Sequence, residues 1–213
     1  MLLTHGDHIC AMYSDDAELA GVVGDFLAEG LRKSERCWYL PASDDPAVVR
    51  AALQARRIDT AKAEQGGALA LLSANAAYGV RGDFDPEETI GTFNDAIEQA
   101  LVDGFTGFRA AANMSWALDL EHGPERLIVY EALLRSLFSS APATGLCLYH
   151  RTRMPIEVLD GALNTHPMVR AEGVYVPNPF YDPSVRSLQA APPEPVRAKL
   201  ERLDEAGRAL RQG

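Results

Sequence analysis

The chain has 213 residues, enough for one well-buried core with a tail and too few for two full domains. Apolar residues make up 47% and charged residues 23%, the balance of a globular protein and not of a disordered or fibrous one. With 30 acidic against 20 basic residues the net charge is -10, a field that repels phosphate backbones and anionic lipid, so direct nucleic-acid and membrane binding are not expected.

The opening residues, Met1-Leu2-Leu3-Thr4-His5-Gly6-Asp7, lack a basic region followed by a long apolar run, and a cytoplasmic location is expected. His8-Ile9-Cys10-Ala11-Met12-Tyr13 reads as a first strand, after which Ser14 or Asp15 can cap a helix running to about Lys33. Leu19, Val22, Val23, Phe26, Leu27 and Leu31 recur at helical spacing and form one apolar stripe. A strand at Arg36-Cys37-Trp38-Tyr39-Leu40 and a helix opened by Asp44-Asp45-Pro46 and ending near Arg57 make a second βα unit.

Ala68-Leu69-Ala70-Leu71-Leu72 is a third strand, and the Gly/Asp-rich stretch 78–86 reads as an exposed loop long enough for a lid. A helix from Asp85 carries Ile90, Phe93, Ile97 and Leu101 on one face and stops at Asp103-Gly104. Strand 107–112, helix 124–139, strand 144–149, helix 156–163 and a short strand Val174-Tyr175-Val176 complete the body. This alternation predicts a three-layer αβα domain on a mainly parallel central sheet. The expected organisation is a domain over 1–183, a Pro-containing linker over 184–195 and a charged helix over 196–213, which either docks on its own domain or serves as a partner-binding or coiled-coil segment.

A parallel sheet invites a nucleotide, but the turn after the first strand fails the requirement for closely spaced glycines with a Lys and a Ser/Thr. Cys10-Ala11-Met12-Tyr13-Ser14-Asp15-Asp16 is bulky and acidic, and no GxGxxG follows any strand. No nucleotide cofactor is expected. Neither GxSxG nor HExxH occurs, no carboxylate spacing singles out a catalytic pair, and the chain is expected not to be an enzyme.

His8 and Cys10, two apart on a strand, share one face and can meet one ligand together. Imidazole and thiol suit a transition metal or a redox-active thiol, although a metal site needs further donors from among His5, Cys37, Cys147 and His150. Buried thiols with a hydrogen-bonded His are the structural alternative, and no disulfide scaffold is expected of three scattered cysteines. Asn113-Met114-Ser115-Trp116 follows the fourth strand, where Met114 and Trp116 can wall an apolar pocket or pack in the core. Glu131 lies among apolar neighbours, pointing inward with a polar partner or outward to solvent, and His166-Pro167 marks a site or only a turn.

In order along the chain, His8-Ile9-Cys10-Ala11-Met12-Tyr13, Met114-Ser115-Trp116, Tyr130-Glu131, Leu146-Cys147-Leu148-Tyr149, His166-Pro167 and Asn178-Pro179-Phe180-Tyr181 resemble the MEDS domain, a prokaryotic sensory domain of the dichloromethane-regulator type, over about residues 5–183. The resemblance implies a RecA-like or KaiC-like fold that has lost its phosphate loop, and a sensor for small hydrocarbon derivatives with its shared His and Cys at His8 and Cys10. Ala112-Asn113 stand where relatives carry an acidic residue and a glycine. Relatives are often fused to DNA-binding, kinase or anti-sigma modules. Nothing after residue 183 is long enough for one, so the output is expected from a regulatory partner protein or the terminal helix.

The leading expectation is therefore a small, largely apolar ligand at the carboxyl ends of the strands, met by His8, Cys10, Tyr13, Asn113, Trp116, Glu131 and His166. A kinase, anti-sigma factor or transcription factor would receive the signal, and the chain can pair as a homodimer. A metal or thiol-redox sensor built on His8 and Cys10, and a ligand-free scaffold, are the alternatives.

Overall fold

The computed structural model describes residues 2–42, 46–72, 84–187 and 193–212. Its strands are β1 (His8–Tyr13), β2 (Arg36–Leu40), β3 (Leu69–Leu71), β4 (Phe108–Asn113), β5 (Ala143–His150), β6 (Met168–Ala171) and β7 (Val174–Pro177). Between them lie α1 (Asp16–Arg32), α2 (Pro46–Ala55), α3 (Thr60–Gln65), α4 (Pro86–Val102), a 3₁₀ turn (Met114–Asp119), α5 (Gly123–Ser140) and α6 (Ile156–Thr165), and α7 (Pro193–Gln212) closes the chain.

Among the described residues the strands form a single seven-stranded sheet in the order β3-β2-β4-β5-β1-β6-β7, parallel throughout except for the β6–β7 hairpin. The middle strands β1 and β5 are covered on both faces and so read as continuous apolar runs. Alternation sorts their side chains into two layers. Ile9, Ala11 and Tyr13 join the core under α1 and α2, while Cys10, Met12, Cys147 and Tyr149 join the core under α4, α5 and α6.

Asp15 caps α1 by accepting from the Glu18 amide at 2.8 Å, and the Glu18 carboxylate accepts from the Ser14 amide at 2.8 Å. Amides that a phosphate loop would turn toward its ligand are thus already satisfied by acids. Near the amino-terminal end of β4, fully buried Arg109 donates to Glu35 at 2.5 Å and to the Phe26 carbonyl at 3.1 Å.

Several expectations need correction. Leu101, assigned to the apolar face of α4, is 43% exposed, and Thr89, Ala96 and Ala100 complete that face instead. Of the expected lid, residues 78–83 lie outside the described residues, and of its end Phe84 is buried while Asp85 is exposed. Phe84 is buried against Trp116 and Tyr130, and Asp85 caps α4. The terminal helix begins at Pro193, inside the expected linker, because a proline is compatible with the first turn of a helix. It docks on its own domain with Val196 and Leu203 buried, which favours the docked alternative over a free coiled-coil segment. The short β6 and α3 were not expected.

Candidate functional site

The first strand sets the site. His8 opens β1 and lies beside Gly145 of β5. A β-carbon on Gly145 would come within 2.2 Å of the Phe138 ring, so the glycine is what lets that ring lie on the sheet. Phe138 in turn packs on the His8 imidazole, ring centres 5.4 Å apart. Two turns earlier on the same face of α5, Glu131 points into the same space, fully buried.

Cys147 and Tyr149 share the Gly145 face of β5 by the period-two rule, and both reach Glu131. Tyr149 donates its hydroxyl to Glu131 Oε1 at 2.5 Å, and Cys147 Sγ lies 3.4 Å from Glu131 Oε2 and 3.4 Å from His8 Nε2. His166 follows α6 directly and comes in from the far side. Its Nδ1 lies 2.7 Å from the Ala162 carbonyl, an acceptor, so Nδ1 carries the proton. Both His8 Nε2 and His166 Nε2 stand 3.2 Å from Glu131 Oε2, and the two rings lie 4.0 Å apart.

The result is a closed cluster, His8, Glu131, Cys147 and His166, whose four donor atoms all lie within 4.8 Å of one another. Burial, reinforced by the neighbouring His166, pushes the His8 imidazole down to about 4 despite Glu131 beside it. Burial alone would raise the Glu131 carboxyl, but the facing imidazoles of His166 and His8 outweigh it and hold it below the usual carboxylate range. Burial, with the Glu131 charge adding to it, pushes the Cys147 thiol and the Tyr149 hydroxyl well up.

Beside the cluster, Phe93, Ala110, Ala112, Met114, Tyr130, Leu134, Phe138 and Cys147 border an apolar void of about 10 Å³, room for about one water-sized group. Small residues on β4 and β5 leave this space under the helices.

Three of the sequence candidates, His8, Glu131 and His166, thus converge, with Glu131 taking the inward alternative. They do so beneath a face of the sheet and not at the carboxyl ends of its strands. Cys10 shares the His8 face but is not in the four-donor group, which draws its thiol from Cys147, opposite Cys10 in register. Burial pushes the Cys10 thiol far up, against the environment of a reactive thiolate. Tyr13 and Asn113 form a separate group on the α1 face, where the Tyr13 hydroxyl donates to Asn113 Oδ1 at 3.2 Å. Trp116 packs with Phe84, ring centres 4.5 Å apart, while Met114 does line the void. Of the proposed completing donors only Cys147 converges. His5 pairs with Glu35 at 3.2 Å, Cys37 sits in the α1-side core, and His150 stands against Tyr13. Tyr149 was missed, although its alternation with Gly145 and Cys147 along β5 was the available signal.

The ordered parallel sheet and its acid-filled first turn define a RecA-like α/β domain without a phosphate loop. In fold it is similar to a KaiC-like protein from the hyperthermophilic archaeon Pyrococcus horikoshii, at 13% identity, a TM-score of 0.56, and coverage of 78% of this chain and 71% of that one. The family model described as the methanogen/methylotroph, DcmR sensory domain (MEDS) matches residues 7–167, and the chain belongs to that family of sensory domains. No curated protein matches it. Among the described residues no helix is long and apolar enough to cross a membrane.

Proposed function

We propose that this sensory domain takes up a small hydrocarbon derivative on the α5 face of its sheet and passes the change to a regulatory protein through α7, acting as a binding module without catalysis. One observation carries the reading: a fully buried polar cluster shares Cys147 with an apolar void. A molecule of one or two carbons matches that pairing in chemistry, its heteroatom toward the cluster and its carbon widening the void.

The route to α7 is short. His166 joins α6 to the segment entering β6, and α7 rests on both. Lys199 donates to Asp160 of α6 at 2.5 Å, Arg151 holds Asp204 with two bonds of 2.8 and 2.9 Å, and Arg208 and Arg211 reach Glu172 after β6 at 3.2 and 2.6 Å. A ligand that shifts His166 moves the surface on which α7 sits, and the partner's affinity changes by the difference in ligand binding between the two states.

Saturation-transfer NMR with dichloromethane, methanol and ethanol, each at millimolar concentration, tests the input half. The reading expects transfer to at least one of them, lost when Ala112→Leu fills the void and weakened by the milder Ala110→Val. No transfer to any probe, or transfer untouched by both substitutions, would count against it.

A further inference from the structure

The cluster also gathers two imidazoles and a thiol around one carboxylate oxygen. His166 Nδ1 is taken up by the Ala162 carbonyl, so Nε2 is the nitrogen left to face the carboxylate oxygen Glu131 Oε2, 3.2 Å away. This nitrogen is buried and has no hydrogen-bond partner among the described groups. His8 Nε2 and Cys147 Sγ aim at the same oxygen. Once the thiol proton is lost, these four atoms can all turn lone pairs to one cation in a dry space.

We infer that His8, Glu131, Cys147 and His166 bind a divalent cation of the zinc class. The spacing suits that ion. Ligand bonds of about 2.0–2.3 Å at tetrahedral angles place neighbouring donors about 3.4–3.6 Å apart. Four of the donor contacts here are 3.2, 3.2, 3.4 and 3.4 Å, and no donor pair exceeds 4.8 Å.

The donor types suit it as well. Two imidazoles, one thiolate and one carboxylate are borderline ligands, whereas calcium and magnesium select all-oxygen sites. A thiolate and a carboxylate neutralise a divalent ion, so the occupied site carries no net charge into the core. On binding, the Cys147 S–H bond breaks, the sulfur lone pair goes to the metal and the proton leaves to solvent. Tyr149 on Glu131 Oε1 and the Ala162 carbonyl on His166 Nδ1 are the outer partners that aim two of the donors. Cys10 takes no part.

This inference rests on the sensor reading only in treating the cluster as a functional site. The full chain, stripped with a chelator and dialysed, is titrated with Co(II) and followed by absorption. A single equivalent is expected to give the ligand-field bands of tetrahedral cobalt with a thiolate-to-cobalt charge-transfer band. Cys147→Ser should remove the charge-transfer band, His166→Gln should weaken binding at least tenfold, and Cys10→Ser should leave the spectrum unchanged. Because the wild-type titration needs no variant to fold, the absence of tetrahedral cobalt bands there overturns the metal site. Loss of the charge-transfer band in Cys10→Ser with retention in Cys147→Ser overturns this donor set. Cobalt binding without any response to the organic probes would sustain the metal site and remove the hydrocarbon reading; the reverse pattern would do the opposite.

Discussion

Buried charge at the residue scale is handled in two different ways on this sheet. Arg109 and Glu35 are each other's main buried partner, with the Phe26 carbonyl and His5 adding to the set, so truncating Arg109 leaves the Glu35 charge largely uncompensated. Arg109→Ala should lower unfolding free energy by about 3–5 kcal/mol, whereas the Arg109→Met, Glu35→Leu double variant should recover most of that in urea titrations. An equal loss in both would show that packing and not charge is at stake. On the surface, the Arg36 guanidinium, helped by Gln99, holds the Asp103 carboxyl below its ordinary 3.8. Since the folded value is the lower one, the contribution is present above 3.8 and is lost as pH falls through the folded value. The stability gap between wild type and Asp103→Asn should therefore close on acidification, and a gap independent of pH would contradict the pairing. Burial pushes the Cys10, Cys37 and Cys147 thiols up, so a disulfide reagent at mildly alkaline pH should label them only on unfolding, and rapid labelling of the native chain would refute their closure.

Among the elements, α7 is the one whose seat is most exacting. A β-carbon on Gly207 would lie 2.5 Å from the Ala171 carbonyl oxygen, so Gly207→Ala must lift the helix although alanine raises intrinsic helix propensity by about 1 kcal/mol. Hydrogen exchange across α7 should quicken in that variant, and slower exchange would mean the helix is not seated against β6. The same element shows what sequence makes legible. Long strands and helices such as β1, β2, α1 and α5 announce themselves by period and caps, to within a residue or two. The six-residue α3 and four-residue β6 are too short for periodicity to separate from turns, and Pro193 and Pro195 read as linker because their tolerance in a first turn depends on where the helix begins. In the site, His8 was visible as the start of a strand and Glu131 as an acid among apolar neighbours. Their meeting with Cys147 and His166 depends on β5 pairing with β1 and on α5 crossing beneath, which no local pattern encodes.

Taken as a molecule, the chain has a RecA-like frame with its polar cluster in the interior of one face of the sheet. Acids take the amides of the turn after β1, and the polar cluster joins β1, α5, β5 and the end of α6 under the sheet. An ion bound only by the folded state should stabilise the chain by about 2.7 kcal/mol at a hundred times its dissociation constant. The account further requires that occupancy be felt by α7 through His166. The most direct measurement is residue-resolved hydrogen exchange over 193–212 in the full chain, stripped of metal and then reloaded with zinc. At least tenfold slower exchange in the loaded protein, abolished in His166→Gln, is the predicted result; superimposable exchange in the two states would contradict it.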